Sequence, residues 1–592
     1  METMKDLRIG VYVCNCGTNI AKIIDTDAVA KFAEKLPNVA LVKCYKYMCS
    51  NPGQEMIAKD IKENNLDRVV VAACSPNMHE RTFRHALRMA GLNQYLLDIA
   101  NIREQCSWVH KDRKEATKKA MALVHGAVLR VEKHEALESI DADMNPNALV
   151  IGGGIAGMTA ALELADAGNL VYLVEKSDHL GGNVARVDIT APYYYSARDL
   201  LTDRITRTMT HKKIQVHMQS KVTELSGFVG NFSASILHQN GKPESEIEPE
   251  EIEIGNVAVC TGYKEFDAKR VTHYGYGKMP NVITSFELEK MLRAGKVETK
   301  EGKIPKYVAI IHCVGSRNKE FHAYCSRVCC MTALKYSHEI KSAIPECYIS
   351  DVYIDMHAFG KGHEDFYEQS SKAKTLFLMY DKEDRPVIHM ADPKDDCEML
   401  IEVNEKLSGE HIEIPADLIV LMVGMEARDD AHEVAHLVGI SQDKEGWFIE
   451  SHPKLEPVAT TTDGVFIAGT CVAPKDIPDS VAQARAAAAR ILARIAKGKI
   501  EIDAIYSEVN EDLCSGCRFC NDLCPYNAIE YIEDEKGGHS HVISALCKAC
   551  GVCVAACPSS AIKGRHFTDG QVLAQIDGLF SKVEYELVEP AK

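Results

Sequence analysis

Two cysteine runs near the end of the chain carry the clearest chemistry. They are Cys514-x2-Cys517-x2-Cys520-x3-Cys524-Pro525 and Cys547-x2-Cys550-x2-Cys553-x3-Cys557-Pro558. Short C-x2-C steps let successive thiolates wrap one face of an iron–sulfur cubane. At this spacing the fourth cysteine of each run ligates the other cluster. One [4Fe–4S] cluster is therefore expected on Cys514, Cys517, Cys520 and Cys557, the other on Cys547, Cys550, Cys553 and Cys524. Zinc needs only two C-x2-C pairs and no trailing Cys-Pro, which argues against a zinc ribbon. Such clusters take one electron each.

A different chemistry is written between Val150 and Glu175, VIGGGIAGMTAALELADAGNLVYLVE. Gly152, Gly154 and Gly157 form G-x-G-x-x-G between an apolar strand and an Ala/Leu-rich helix. A second strand closes on Glu175. The glycines permit a tight turn, backbone approach to a pyrophosphate and close helix–strand packing. The helix N-terminus, with Ile155 and Ala156 in its first turn, offers N–H groups to that pyrophosphate. Glu175, followed by Lys176, is placed to bond a ribose diol. Further on, Gly182-Asn183, Thr261-Gly262 and Gly469-Thr470 resemble the turns that complete the flavin site in two-dinucleotide-fold flavoproteins. Ser480 opens the helix after the last of them, which is expected to start at Asp479-Ser480. Thr470 stands where disulfide reductases usually carry Asp. The whole stretch resembles the thioredoxin-reductase type of FAD fold.

That resemblance implies a second dinucleotide fold for a nicotinamide. Its strand is present, Lys306–His312, but its glycine loop is not. The chain continues into Cys313, Cys325, Cys329 and Cys330. Four thiolates suffice for one cubane, so a [4Fe–4S] site is expected where nicotinamide would bind. A reactive dithiol pair fits poorly, because Cys329 and Cys330 are adjacent. Lys335 follows on the helix these cysteines open. Its ammonium, beside flavin N5, would stabilise a reduced anionic flavin; an exposed helix lysine is the rival reading.

The elements that must position these groups divide the chain into residues 1–140, 145–500 and 501–592. The first region reads as a small α/β domain, with strands at Leu7–Val13 and Asp67–Ala73 and helices over 26–36, 79–90 and 114–133. Cys14, Cys16, Cys49, Cys74 and Cys106 sit at strand ends or in loops, where ligands converge. A further cluster is expected there on Cys16, Cys49, Cys74 and Cys106, while Cys44 reads as a small hydrophobe. His79, Arg81 and Arg84 read as a solvated helix face. In the middle region, strands are expected at 216–223, 228–237 and 254–261, with the charged run 242–253 between the last two. The last region reads as two copies of a β-loop-α unit. The fold class is α/β: a thioredoxin-reductase-like FAD fold, a small α/β N-terminal domain and a C-terminal 2[4Fe–4S] ferredoxin domain of the bacterial type.

The 592 residues are enough for several cores. A net charge of −17 argues against nucleic acid or an anionic membrane as partner. No apolar run reaches the length of a membrane span and the N-terminus does not read as a signal peptide, so a cytoplasmic location is expected. There, 22 cysteines point to metal or redox chemistry rather than disulfides. Nothing in the chain reads as a substrate pocket with acid–base groups.

GVYVCNCGTNI (10–20), VVVAACSPNMHE (69–80), NIREQCSWVH (101–110), the glycine loop, HCVGSR…YCSRVCCMTALKY and the double cysteine run together resemble the A-type flavin and iron–sulfur component of heterodisulfide reductase. The resemblance covers nearly the whole chain. It implies an FAD protein that splits electron pairs between ferredoxin and the heterodisulfide CoM-S-S-CoB. It implies B- and C-type partner subunits, a hydrogenase or formate dehydrogenase as donor, and a dimer of hetero-oligomers. It assigns the flavin-side cluster to Cys313, Cys325, Cys329 and Cys330, and a flavin-facing role to Lys335. The longest members of that family carry an extra ferredoxin insertion; here residues 192–255 contain no cysteine. A non-splitting relay, as in quinone-interacting or acyl-CoA-reducing complexes, is the alternative. So is a scaffold that only docks the other subunits.

Overall fold

The computed structural model describes residues 7–238, 247–533 and 537–581. Part of the charged run 242–253 lies outside them. The chain folds as two compact units. One joins Met1–Asp141 to Glu501–Lys592; the other is Ala142–Ile500.

In the first unit a parallel sheet runs in the order Val39–Tyr45, Ile9–Cys14, Arg68–Ala73, Leu97–Asn101. Ile9–Cys14 is buried along its whole length, as a strand covered on both faces must be. Helices Thr26–Ala33, Asn51–Glu63 and Arg113–Val131 begin on Asp25, Ser50 and Asp112, whose side chains accept first-turn N–H groups. The helix expected over 79–90 begins at Pro76, a residue well suited to a first turn. Arg84, read as solvated, is buried and pairs at 2.7 Å with both Glu80 and Asp503.

The C-terminal part of this unit shows its internal repeat. Helices Phe519–Leu523 and Val552–Ala556 each follow a left-handed residue, Arg518 (φ 62°) and Gly551 (φ 76°). Ser507–Val509 pairs with Ile562–Gly564, and Ile529–Ile532 with His539–Val542. The final helix, Asp569–Phe580, lies on Arg113–Val131 with glycine against glycine. A Cβ on Gly578 would stand 2.6 Å from the Gly126 Cα.

The second unit repeats one design twice. Its first parallel sheet is ordered Ile214–His217, Val171–Val174, Ala148–Ile151, Asn256–Val259, Val465–Ile467. It is joined by the antiparallel strands Ser220–Phe228, Asn231–His238 and Glu250–Ile254. The second sheet is ordered Val282–Thr284, Leu418–Val423, Tyr307–Val314, Tyr348–Tyr353, Leu376–Met379. Its antiparallel companions are Val387–Met390, Met399–Asn404 and His411–Ala416. This is the doubled architecture of a thioredoxin-reductase-like FAD fold.

Three elements differ from the expected bounds, each for a visible reason. The strand expected over 216–223 is two strands, broken where Gln219 turns left-handed (φ 49°). The strand expected over 254–261 is also split, at Gly255, where a side chain would run into the Asn145 carbonyl. The helix expected from Asp479 opens at Ile477, because Asp476 caps it by accepting the Asp479 N–H at 2.8 Å. No helix among the described residues is long and apolar enough to cross a membrane.

Candidate functional site

In the second unit a cavity of about 1060 Å³ opens at the C-terminal ends of the first sheet. Its size is near the upper end for a single ligand. Gly152, Gly154, Ile155 and Ala156 line it, as do Glu175, Lys176, Gly182, Asn183, Thr261, Gly262, Thr470 and Ser480. Gly157 and Gly469 shape it from behind. A Cβ on Gly157 would overlap the Gly152 carbonyl oxygen, and one on Gly469 would lie 2.8 Å from the Ala156 Cβ. The helix Ile155–Asp166 has Gly154 as its cap and no side chain on its first N–H groups, which leaves them for an anion. The Glu175 carboxylate is held rigidly, accepting from Gly153 N at 2.6 Å and from Ser177 N at 2.8 Å. Lys176 turns its ammonium to Asp430, 3.0 Å away. A strand–glycine turn–helix cradle with a fixed acid fits an FAD.

The second sheet departs from the first at the same point. In the first, three residues separate the strand Ala148–Ile151 from the helix at Ile155. In the second, the central strand ends at Val314 and the helix begins only at Cys329. The loop between carries Cys325, and Cys313, next to last in the strand, has φ 58°. Cys313, Cys329 and Cys330 are buried and Cys325 half-buried. Burial pushes the Cys313 thiol up to about 12, with the charges of Cys330 and Cys325 adding and Arg317 and Arg385 opposing. Cys329 is raised well above its ordinary range by burial, then by Cys313, Cys330 and Cys325. Cys330 is the exception. Burial raises it, but the neighbouring His312 holds it below the ordinary value. His312 is itself raised to about 10; burial opposes its charge, and Asp351, 2.5 Å away, more than offsets burial. Four thiols within one another's field, flanked by two guanidiniums, fit a group that carries net negative charge on thiolates.

Cys329 also lines the cavity, and so does Lys335. Lys335 is 1% exposed. Its ammonium donates to Ile189 O at 3.1 Å, pairs with Glu289 and lies 3.4 Å from Glu339. The exposed-lysine reading is thereby excluded. No pattern in the sequence singled out Glu289, an acid on the short helix Ser285–Arg293 that is also 1% exposed.

In the first unit the structure brings Cys14, rather than Cys106, to Cys16, Cys49 and Cys74. Burial raises Cys14 to about 11, with Cys16 and Cys49 adding. It raises Cys74 to about 12; Arg103 opposes, and Glu104, Cys14 and Cys49 add. Cys106 lies in the single π-turn Arg103–Ser107 and donates to Ala116 O at 3.0 Å, with no other cysteine acting on it. Its spacing gave no sign of this turn. In the C-terminal repeat, one small cavity is lined together by Cys524, Cys547, Cys550 and Cys553. The fourth cysteine of one run thus stands with the first three of the other. Ala528 N donates to Cys524 Sγ and Ala561 N to Cys557 Sγ, each at 3.3 Å, in equivalent positions of the repeat.

A family model described as FAD dependent oxidoreductase matches residues 147–240, and one described as 4Fe-4S dicluster domain matches residues 513–561. The chain is 40% identical over 658 residues to the A component of the H(2):CoB-CoM heterodisulfide,ferredoxin reductase of Methanothermobacter marburgensis, covering 98% of each chain. It is 41% identical over 650 residues to the second iron-sulfur A component of the CoB–CoM heterodisulfide reductase of Methanopyrus kandleri, covering 97% of this chain and 98% of that one. Both alignments are longer than the chain itself, so these relatives carry segments that it lacks. Among solved structures, thioredoxin reductase of T. acidophilum aligns with 59% of this chain and 99% of its own, at 15% identity and a TM-score of 0.39.

Proposed function

Since the chain belongs to the family of A components of CoB–CoM heterodisulfide reductases, we propose that it splits electron pairs at an FAD, one electron toward ferredoxin and one toward a heterodisulfide. At the coarser level it is an oxidoreductase, the FAD and iron–sulfur electron-transfer subunit of a heterodisulfide-reductase-type complex. The splitting reading is supported chiefly by the four cysteines that stand in and around the strand-to-helix loop of the second sheet in place of a glycine turn, with Cys329 bordering the flavin cavity. A cluster on Cys313, Cys325, Cys329 and Cys330 would accept electrons where a nicotinamide would otherwise deliver them.

When bound, FAD supplies the change between two-electron and one-electron chemistry. The chain's own residues bind and orient it. Gly152, Gly154 and the helix N-terminus would hold the pyrophosphate, Glu175 a ribose, and Lys335 would place a positive charge at the redox-active end. The remaining clusters are assigned to the two crossed C-terminal sets and to Cys14, Cys16, Cys49 and Cys74. The expected partners are B- and C-type subunits, a hydrogenase or formate dehydrogenase as donor, and ferredoxin.

A relay without splitting is the second reading. It is favoured by one observation, that the relatives carry segments missing here, as would be expected of a chain without the inserted ferredoxin of the longest family members. One experiment separates the two. The anaerobically purified complex is given its electron donor and ferredoxin, with and without CoM-S-S-CoB. Splitting requires ferredoxin reduction to depend on the heterodisulfide. Ferredoxin reduced equally well without it would leave the relay.

A further inference from the structure

Three metal-ligand side chains outside these sites converge in the second unit. His217 ends one strand, His238 ends another and Glu250 begins a third. Glu250 Oε2 lies 3.3 Å from His238 Nε2 and 3.7 Å from His217 Nδ1. One donor atom from each residue falls within 4.8 Å of the other two. The imidazole rings are 5.3 Å apart.

The surrounding hydrogen bonds fix what these rings can do. Ser220 Oγ has one proton, and it points to Met218 O at 2.8 Å. Toward His238 Nδ1, 2.9 Å away, the same oxygen can then only accept. His238 therefore carries its proton on Nδ1, and a neutral ring turns the Nε2 lone pair at the Glu250 carboxylate. Two lone pairs facing at 3.3 Å repel unless a proton or a metal ion sits between them. His217 reaches the same carboxylate oxygen with Nδ1, and its Nε2 is buried with no hydrogen-bond partner among the described residues.

We propose that His217, His238 and Glu250 bind one divalent transition-metal ion of the zinc class. Two neutral imidazole nitrogens and a carboxylate oxygen form a familiar three-ligand set that leaves a fourth position for water. Ser220 supplies the outer hydrogen bond that holds a ligating histidine in its tautomer. The ion would act structurally. His217 O accepts the Glu175 N–H at 2.8 Å, and Ser220 N donates to Glu175 O at 3.0 Å. The metal would thus tie together the strand ends that frame Glu175, on the side where Lys221, Val222 and Thr223 line the cavity.

The test uses the full chain, purified anaerobically with its iron and FAD. It is equilibrated against zinc at a chelator-buffered free concentration, and bound zinc and iron are measured together. The wild type is expected to hold about one zinc per chain more than the double variant His238→Ala/Glu250→Gln, at equal iron and FAD. Equal zinc in both would overturn the site and leave a plain imidazolium–carboxylate contact. Should the double variant lose FAD, crystals of the wild type decide the matter. Anomalous scattering at the zinc edge should show a peak among the three residues, and its absence would overturn the proposal.

Discussion

A lysine with almost no solvent exposure and two acids against it is an electrostatic setting, and its sign can be tested. Replacing Lys335 by Ala removes a cation from the cavity wall and should lower the flavin midpoint potential by roughly 30 mV, about 1.4 kcal/mol for a two-electron couple. Replacing Glu289 by Gln leaves the ammonium less neutralised and should move the potential the other way. Redox titration at unchanged FAD content reads both, and shifts of the same sign would remove Lys335 from this role. Cys329 and Cys330 belong at this scale too. Their joint change to Ala should cost about four irons, one cubane, by iron analysis. The four cysteines stood out in the sequence because thiol number and spacing are written along the chain, while Lys335 was singled out by its place on the helix they open and by the family resemblance. It passed over Glu289 and His312, since an acid or imidazole becomes informative only when the fold buries it against a particular partner.

At the scale of elements, backbone contacts set the limits. The helix Ile155–Asp166 starts as close to its strand as Gly157 allows. Gly157→Ala should force the turn apart and cost about 1–3 kcal/mol in the usual range for overpacking, and purified protein should come without FAD. The glycine crossing of Arg113–Val131 with Asp569–Phe580 is equally tight. Gly578→Val should loosen the last helix, seen as faster proteolysis near residue 565 with the flavin absorbance intact. The glycine loop was legible because its pattern records a steric requirement of the turn itself. The helix crossing was not, since residues 126 and 578 are brought together by folding alone. Strand edges slipped by up to five residues for the same reason: Gln219, whose N–H donates to Ser177 O, and Gly255, packed on the Asn145 carbonyl, break their strands through contacts distant in the sequence.

For whole units, pH offers a probe of the first. His134 is stacked on His566 at 4.2 Å and 4% exposed. Burial, then His566 and Arg130, lower its pKa from 6.5 to about 3. The unfolded chain therefore binds a proton below pH 6.5 that the fold refuses. The stability from this residue is complete above that pH and falls as pH drops toward 3, at about 1.4 kcal/mol per unit. Thermal unfolding between pH 5 and 7 should show this slope, and His134→Gln should flatten it. By itself the sequence determined the chemistry: cysteine spacing, the glycine turn and the closing Glu175 are local patterns, fixed by the bond lengths and contacts of neighbouring residues. It also carried the family, through motifs spread over the whole chain. Only the tertiary structure decided that the two ends of the chain form one unit, that Cys14 and not Cys106 joins Cys16, Cys49 and Cys74, and that Lys335 faces the cavity from a buried ion pair. Each of these depends on which distant residues share a boundary after folding, and no spacing along the chain records that.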